Sequence, residues 1–188
     1  MKSVLTAYHR VANGLDGLGA HVLPVLARLA FAGVLLFYFW ASASTKLGPG
    51  LFGFLMPSDG AYIQIFPETT EAFGYDFGQF GVFHWVVVTT GTLAEFILPL
   101  LIVLGLFTRL AALGMIGFVA VQSIVDIHGH GVGGDTLGAL FDRASGALIW
   151  DQRTLWVFLL LVLVLKGGGA LSVDRILGRR FGLASQGS

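Results

Sequence analysis

The chain has 188 residues, of which 55% are hydrophobic and 12% charged, with a mean hydropathy of +0.82. That balance excludes an ordinary soluble domain, and a formal net charge of zero gives neither a nucleic-acid footprint nor an acidic tail. Cysteine is absent, which removes disulfides, thiolate metal sites and iron–sulfur clusters carried by this chain, so redox chemistry would need a borrowed cofactor.

A transmembrane helix needs roughly 20 mostly apolar residues to cross a hydrocarbon core of about 30 Å. Four segments qualify, and together they predict an all-α, single-domain, four-helix transmembrane bundle. The first span covers residues 24–45 and ends at Lys46. Its "FYFWASAS" offers the small-residue site of a cleaved leader, but Asp16 and Arg28 before the apolar run favour a retained span. The connection 47–81 is rich in aromatic residues from Phe52 to Phe80, which favour the headgroup region, and reads as an outer interfacial segment. The second span, 82–104, contains Glu95 and Pro99; the proline kinks it and frees a carbonyl near residue 95. Only "GLFTR" separates it from the third span, 110–127, so these two helices are antiparallel neighbours. The glycine-rich connection 128–147 leads to the fourth span, 148–165. "KGGGALSVDRIL" then ends that helix and starts a short cytoplasmic one, with Ser172 as N-cap and Arg175, Arg179 and Arg180 toward anionic headgroups.

Orientation follows from lysine and arginine. An inside N-terminus places Lys2, Arg10, Arg28, Arg109, Lys166, Arg175, Arg179 and Arg180 on the cytoplasmic side, leaving Lys46, Arg143 and Arg153 outside. Both termini are expected in the cytoplasm, and the chain in the cytoplasmic (inner) membrane of a bacterium.

Two polar constellations interrupt the apolar sequence. Glu95 lies about 20 Å along the second helix, where an unpaired carboxylate is costly. Arg28 and Arg109 are the cations within its half of the bilayer, and Arg28 is the expected partner. Such a group serves either as a structural ion pair or as a functional carboxylate that takes up protons or hydrogen-bonds a quinone or other head group. The second constellation is the outer polar cluster of Lys46, His84, Asp126, His128 and His130, in which Asp126 is a candidate partner for Lys46. Its Asp-x-His-x-His spacing makes Asp126, His128 and His130 weak candidates for a divalent metal, against a plain hydrated cluster at a helix end.

"LARLAFAGVLLFYFWASASTKL", "AEFILPLLIVLGLFTRLAALG" and "KGGGALSVDRIL" resemble the signature stretches of the DoxX family of small bacterial four-helix membrane proteins. One departure lies in "ASASTK", where the family usually has a glycine before the lysine. The resemblance implies a membrane subunit associated with a quinone-linked redox complex, non-catalytic or borrowing its cofactor, with other membrane or redox proteins as partners. If the chain takes part in an enzyme, that enzyme is a membrane quinone-linked oxidoreductase and quinone is the cofactor. A structural or assembly subunit and a small-molecule transporter remain as alternatives. Four helices without an inverted repeat disfavour the transporter.

Overall fold

The computed structural model describes residues 2–181, which form helices and connecting turns with no strand among them. The first helix, α1 (Lys2–Phe31), starts far before the expected position 24. Pro24 costs it one backbone bond without ending it, because the ring is buried against Gly169. The helix continues through a π-helical turn, Ala32–Leu36, into α2 (Phe37–Ser44). Phe31, Leu35 and Phe39, spaced by four, face the core along this rod.

The outer segment folds into two short helices, α3 (Asp59–Ile65) and α4 (Pro67–Ala72). Pro67 opens α4, where its missing N–H has no intrahelical acceptor to lose. The long α5 (Val82–Leu104) ends on Gly105 in the left-handed region, φ +71°. There the Leu106 N–H donates to the Leu101 carbonyl at 2.9 Å and that of Gly105 to Ile102 at 3.1 Å, a Schellman closure that turns the chain sharply. The next helix, α6 (Thr108–Ile124), runs on through a π-helical turn, Val125–Gly129. A single helical turn, α7 (Gly134–Leu137), and a second π-helical stretch, Leu148–Gln152, precede α8 (Arg153–Lys166); α9 (Val173–Arg180) closes the described chain.

Four rods, Val4–Ser44, Val82–Leu104, Thr108–Gly129 and Leu148–Lys166, are long and apolar enough to cross a membrane. The α1/α2 rod touches both α5 and α8, and α6 touches the same two, which closes a four-helix ring. Phe31, Phe39, Ile102, Met115, Leu160 and Leu163 fill its centre with no exposed surface. Large apolar residues such as Phe37, Leu110, Val121, Phe158 and Leu165 point outward from the same helices. Such a girdle is too extensive for water and suits lipid.

The outer segment does more than lie along an interface. It packs beside the first half of α5 as a folded cap, since α2 stops at Ser44 and leaves that flank uncovered. The Trp85 indole donates to the Leu55 carbonyl at 2.9 Å, and a His130 ring nitrogen meets the Gln64 carbonyl at 3.0 Å. Irregular backbone beside an apolar helix is thus covered by protein.

Candidate functional site

Glu95 is buried, but its partner is Lys46 and not Arg28. The Lys46 ammonium sits 3.0 Å from Oε2 and 3.2 Å from Oε1 of Glu95, and it also donates to the Ser42 hydroxyl at 2.8 Å. The side chains of the pair are 6% and 4% exposed. Lys46 follows the last turn of α2, and its stem runs back along Ser42, so the charge is delivered inward from the helix end.

Arg28 is used elsewhere. Its guanidinium donates to the carbonyls of Ile102 at 3.0 Å, Val103 at 2.5 Å, Gly168 at 3.0 Å and Leu171 at 2.6 Å. These are carbonyls at the end of α5 and in the turn after α8; that of Ile102 also accepts from the Gly105 N–H, while those of Val103, Gly168 and Leu171 lie where the helical pattern supplies no N–H. The expected Glu95–Arg28 pair fails on distance: Ile102 lies seven residues beyond Glu95 along α5, about 10 Å at 1.5 Å per residue. Arg109, also named for this pair, donates to the Val164 carbonyl at 2.8 Å at that same far end.

The outer cluster separates into three environments. Asp126 pairs with Arg153 at 2.5 Å, not with Lys46, and Arg153 also reaches the Ser123 hydroxyl at 2.9 Å. π-helical turns at Val125–Gly129 and Leu148–Gln152 bear on this pair, one holding Asp126 and the other directly preceding Arg153. Each inserts a residue and so turns the following side chains on the helix surface. His84 stands among Phe66, Phe73, Phe80 and Phe83, with ring centroids 4.9 to 6.4 Å away, and its buried Nδ1 has no partner among the described residues. His128 is exposed and His130 is held by Gln64. Asp126, His128 and His130 therefore do not converge, and among the described residues no three His, Asp or Glu side chains are grouped to hold a metal ion.

A cleft of about 530 Å³ opens between α2, α3, α5 and α6, with the Lys46–Glu95 pair in its wall. Its sides are mainly apolar, formed by residues such as Val87, Leu98 and Phe118. Gln64, Gln122, Asp126 and His130 add polar groups toward the cap. Gln122 donates to the Tyr38 hydroxyl at 3.2 Å, while its buried carbonyl oxygen has no partner among the described residues. The Trp40 indole donates to the Phe96 carbonyl at 3.1 Å, one residue beyond the carbonyl that Pro99 leaves unmatched. The arrangement presents a fixed ammonium donor and a carboxylate proton acceptor to an apolar chamber.

Arg153 escaped the reading of the sequence because it was counted among outer-loop charges. An arginine inside a fourth span at 148–165 was itself the signal, since an intramembrane cation needs a partner. Asp174 was passed over as a helix residue. Its carboxylate accepts from the backbone N–H of Phe107 at 2.7 Å and Thr108 at 2.9 Å, and from the Thr108 hydroxyl at 2.7 Å. The C-terminal stretch is thereby docked onto the turn between α5 and α6, and Ser172 is its N-cap as expected, accepting from the Arg175 N–H at 3.2 Å.

The family model for DoxX matches residues 23–129, more than half of the chain. No curated protein and no solved structure matches. With four apolar rods and this match across three of them, the chain belongs to the DoxX family of membrane proteins.

Proposed function

We propose that this chain is an integral subunit of a quinone-linked redox complex in the bacterial inner membrane, and that the Lys46–Glu95 cleft receives the quinone-type head group. The observation that carries this reading is the cleft itself: an apolar chamber of about 530 Å³ with a buried ammonium–carboxylate pair in its wall. A quinone needs those two features, apolar walls for its ring and tail and a donor for its carbonyl oxygen. Lys46 donates to that oxygen. Glu95 takes up protons from water one at a time and passes each on as the electrons arrive, so that one quinone takes two electrons and two protons, one on each carbonyl oxygen, to become the quinol. The electrons come from a redox group on a partner subunit.

The test is quinone content and electron-transfer rate of the complex purified in mild detergent, each normalised to assembled complex. Glu95→Gln keeps the shape but cannot titrate; it is expected to retain quinone and lose turnover. Gly91→Leu projects into the cleft beside Ile65 while both charges of the ion pair are retained, and is expected to lose quinone. Wild-type values for both variants would overturn the reading.

A further inference from the structure

A second cavity, about 720 Å³, lies at the opposite end of the bundle, between the start of α6, the glycine turn after α8, and α9. Four cations line it: Arg109, Lys166, Arg175 and Arg179. One acid, Asp174, lines it too, but both its oxygens are taken by the backbone and hydroxyl donors of Phe107 and Thr108. Among the described residues no carboxylate lies within ion-pairing distance of any of the four cations. Arg109 spends one nitrogen on the Val164 carbonyl, and its guanidinium lies across the turn, 3.5 Å from where a Cβ on Gly167 would stand.

Four positive charges lining one concavity repel one another and create a local potential that gathers anions. Three of the four are guanidinium groups, whose planar fork suits the oxygens of a phosphate. The cavity wall is amphipathic as well: Phe107 and Leu110 line it and are 62% and 69% exposed. Leu165 and Leu171, beside it in the chain, are 70% and 75% exposed. A ligand with an anionic head and an apolar body meets both surfaces at once.

We propose that this cavity binds the phosphate of an anionic phospholipid, with Arg175 and Arg179 reaching over it from α9 and the acyl chains lying along Phe107 and Leu110. The site is independent of the cleft at Glu95.

The purified protein, exchanged into detergent, is titrated with phosphatidylglycerol, with phosphatidylcholine and with inorganic phosphate, and bound ligand is counted by native mass spectrometry. Wild type is expected to retain phosphatidylglycerol in preference to phosphatidylcholine. The double variant Arg175→Gln/Arg179→Gln is expected to hold phosphatidylglycerol about 30-fold more weakly, at about 1 kcal/mol per cation. A second double variant, Lys2→Gln/Arg10→Gln, removes two charges at the far end of α1 and is expected to retain the lipid as wild type does. Equal retention of the two lipids, equal losses in the two double variants, or phosphate binding without a lipid preference would each overturn the proposal. Thermal unfolding of each variant confirms that it is folded; the side chains of Arg175 and Arg179 make no hydrogen bond within the described protein whose loss would unfold it.

Discussion

Glu95 and Lys46 stabilise the bundle only as a pair. Taking either charge from water costs several kcal/mol, and their attraction offsets this only while both are present. Glu95→Gln or Lys46→Met alone is expected to cost about 3–5 kcal/mol, and the double substitution less than the sum, in a denaturation cycle in detergent. Strict additivity would show that the two do not interact. Arg28 tests a different contribution. Arg28→Lys retains the charge but one ammonium cannot serve four carbonyls, so about 2–4 kcal/mol should be lost as buried acceptors go unpaired. That Glu95 would be buried and partnered was legible from a carboxylate in an apolar run. The choice of partner was not, because it depends on which carbonyls lie at which depth. An arginine that serves four carbonyls at two chain turns is held there more firmly than by one distant acid.

At the level of elements, the sharp α5–α6 turn and the α8–α9 turn are designed against each other. A Cβ on Gly105 would stand 2.6 Å from the Ser172 Cβ and 2.8 Å from the Arg28 Cζ, on a backbone already at φ +71°. One on Gly168 would stand 2.6 Å from both the Ser172 Cβ and the Thr108 hydroxyl. Gly105→Ala is therefore expected to destabilise by at least about 1–2 kcal/mol for the left-handed backbone alone. Gly117→Ala, in open space on α6, should be neutral or stabilising by up to about 1 kcal/mol through helix propensity. Unfolding midpoints in detergent separate the two cases. The glycine and proline punctuation made these turns visible in the sequence. Their mutual contact was hidden, because Asp174 and Thr108 are 66 residues apart and neither hydropathy nor periodicity reports on such a pairing. The start of α1 was hidden for a related reason: Pro24 looks like a beginning until its buried ring is seen against Gly169.

For the whole molecule, hydropathy made the four spans legible, since crossing a bilayer imposes a length and a composition that few other constraints imitate. The folded cap over α5 was less so: its aromatic residues suit a membrane surface as well as a packed cluster, and only the positions of His84, Phe66 and Phe80 distinguish the two. From the distribution of cations we propose that both chain ends lie in the cytoplasm. Fusions of a cytoplasm-active reporter before Lys2 and after Ser188, a residue outside the described region, are expected to be active; an insertion at Gly50, in an exposed turn of the cap, is expected to be silent. An active Gly50 fusion would invert the bundle.

The Arg28 clamp also has a consequence in time. Its acceptor at Leu171 lies 143 residues downstream. At 5–20 residues per second, synthesis takes on the order of 10 s to travel from one to the other. For that interval the first helix carries a guanidinium whose last two acceptors have not been made. Ribosomes halted between Leu104 and Gly168 should thus hold a nascent chain whose first helix is still accessible to crosslinking. Release past Leu171 should close that window abruptly, in step with the emergence of one short turn and not with the insertion of the fourth helix.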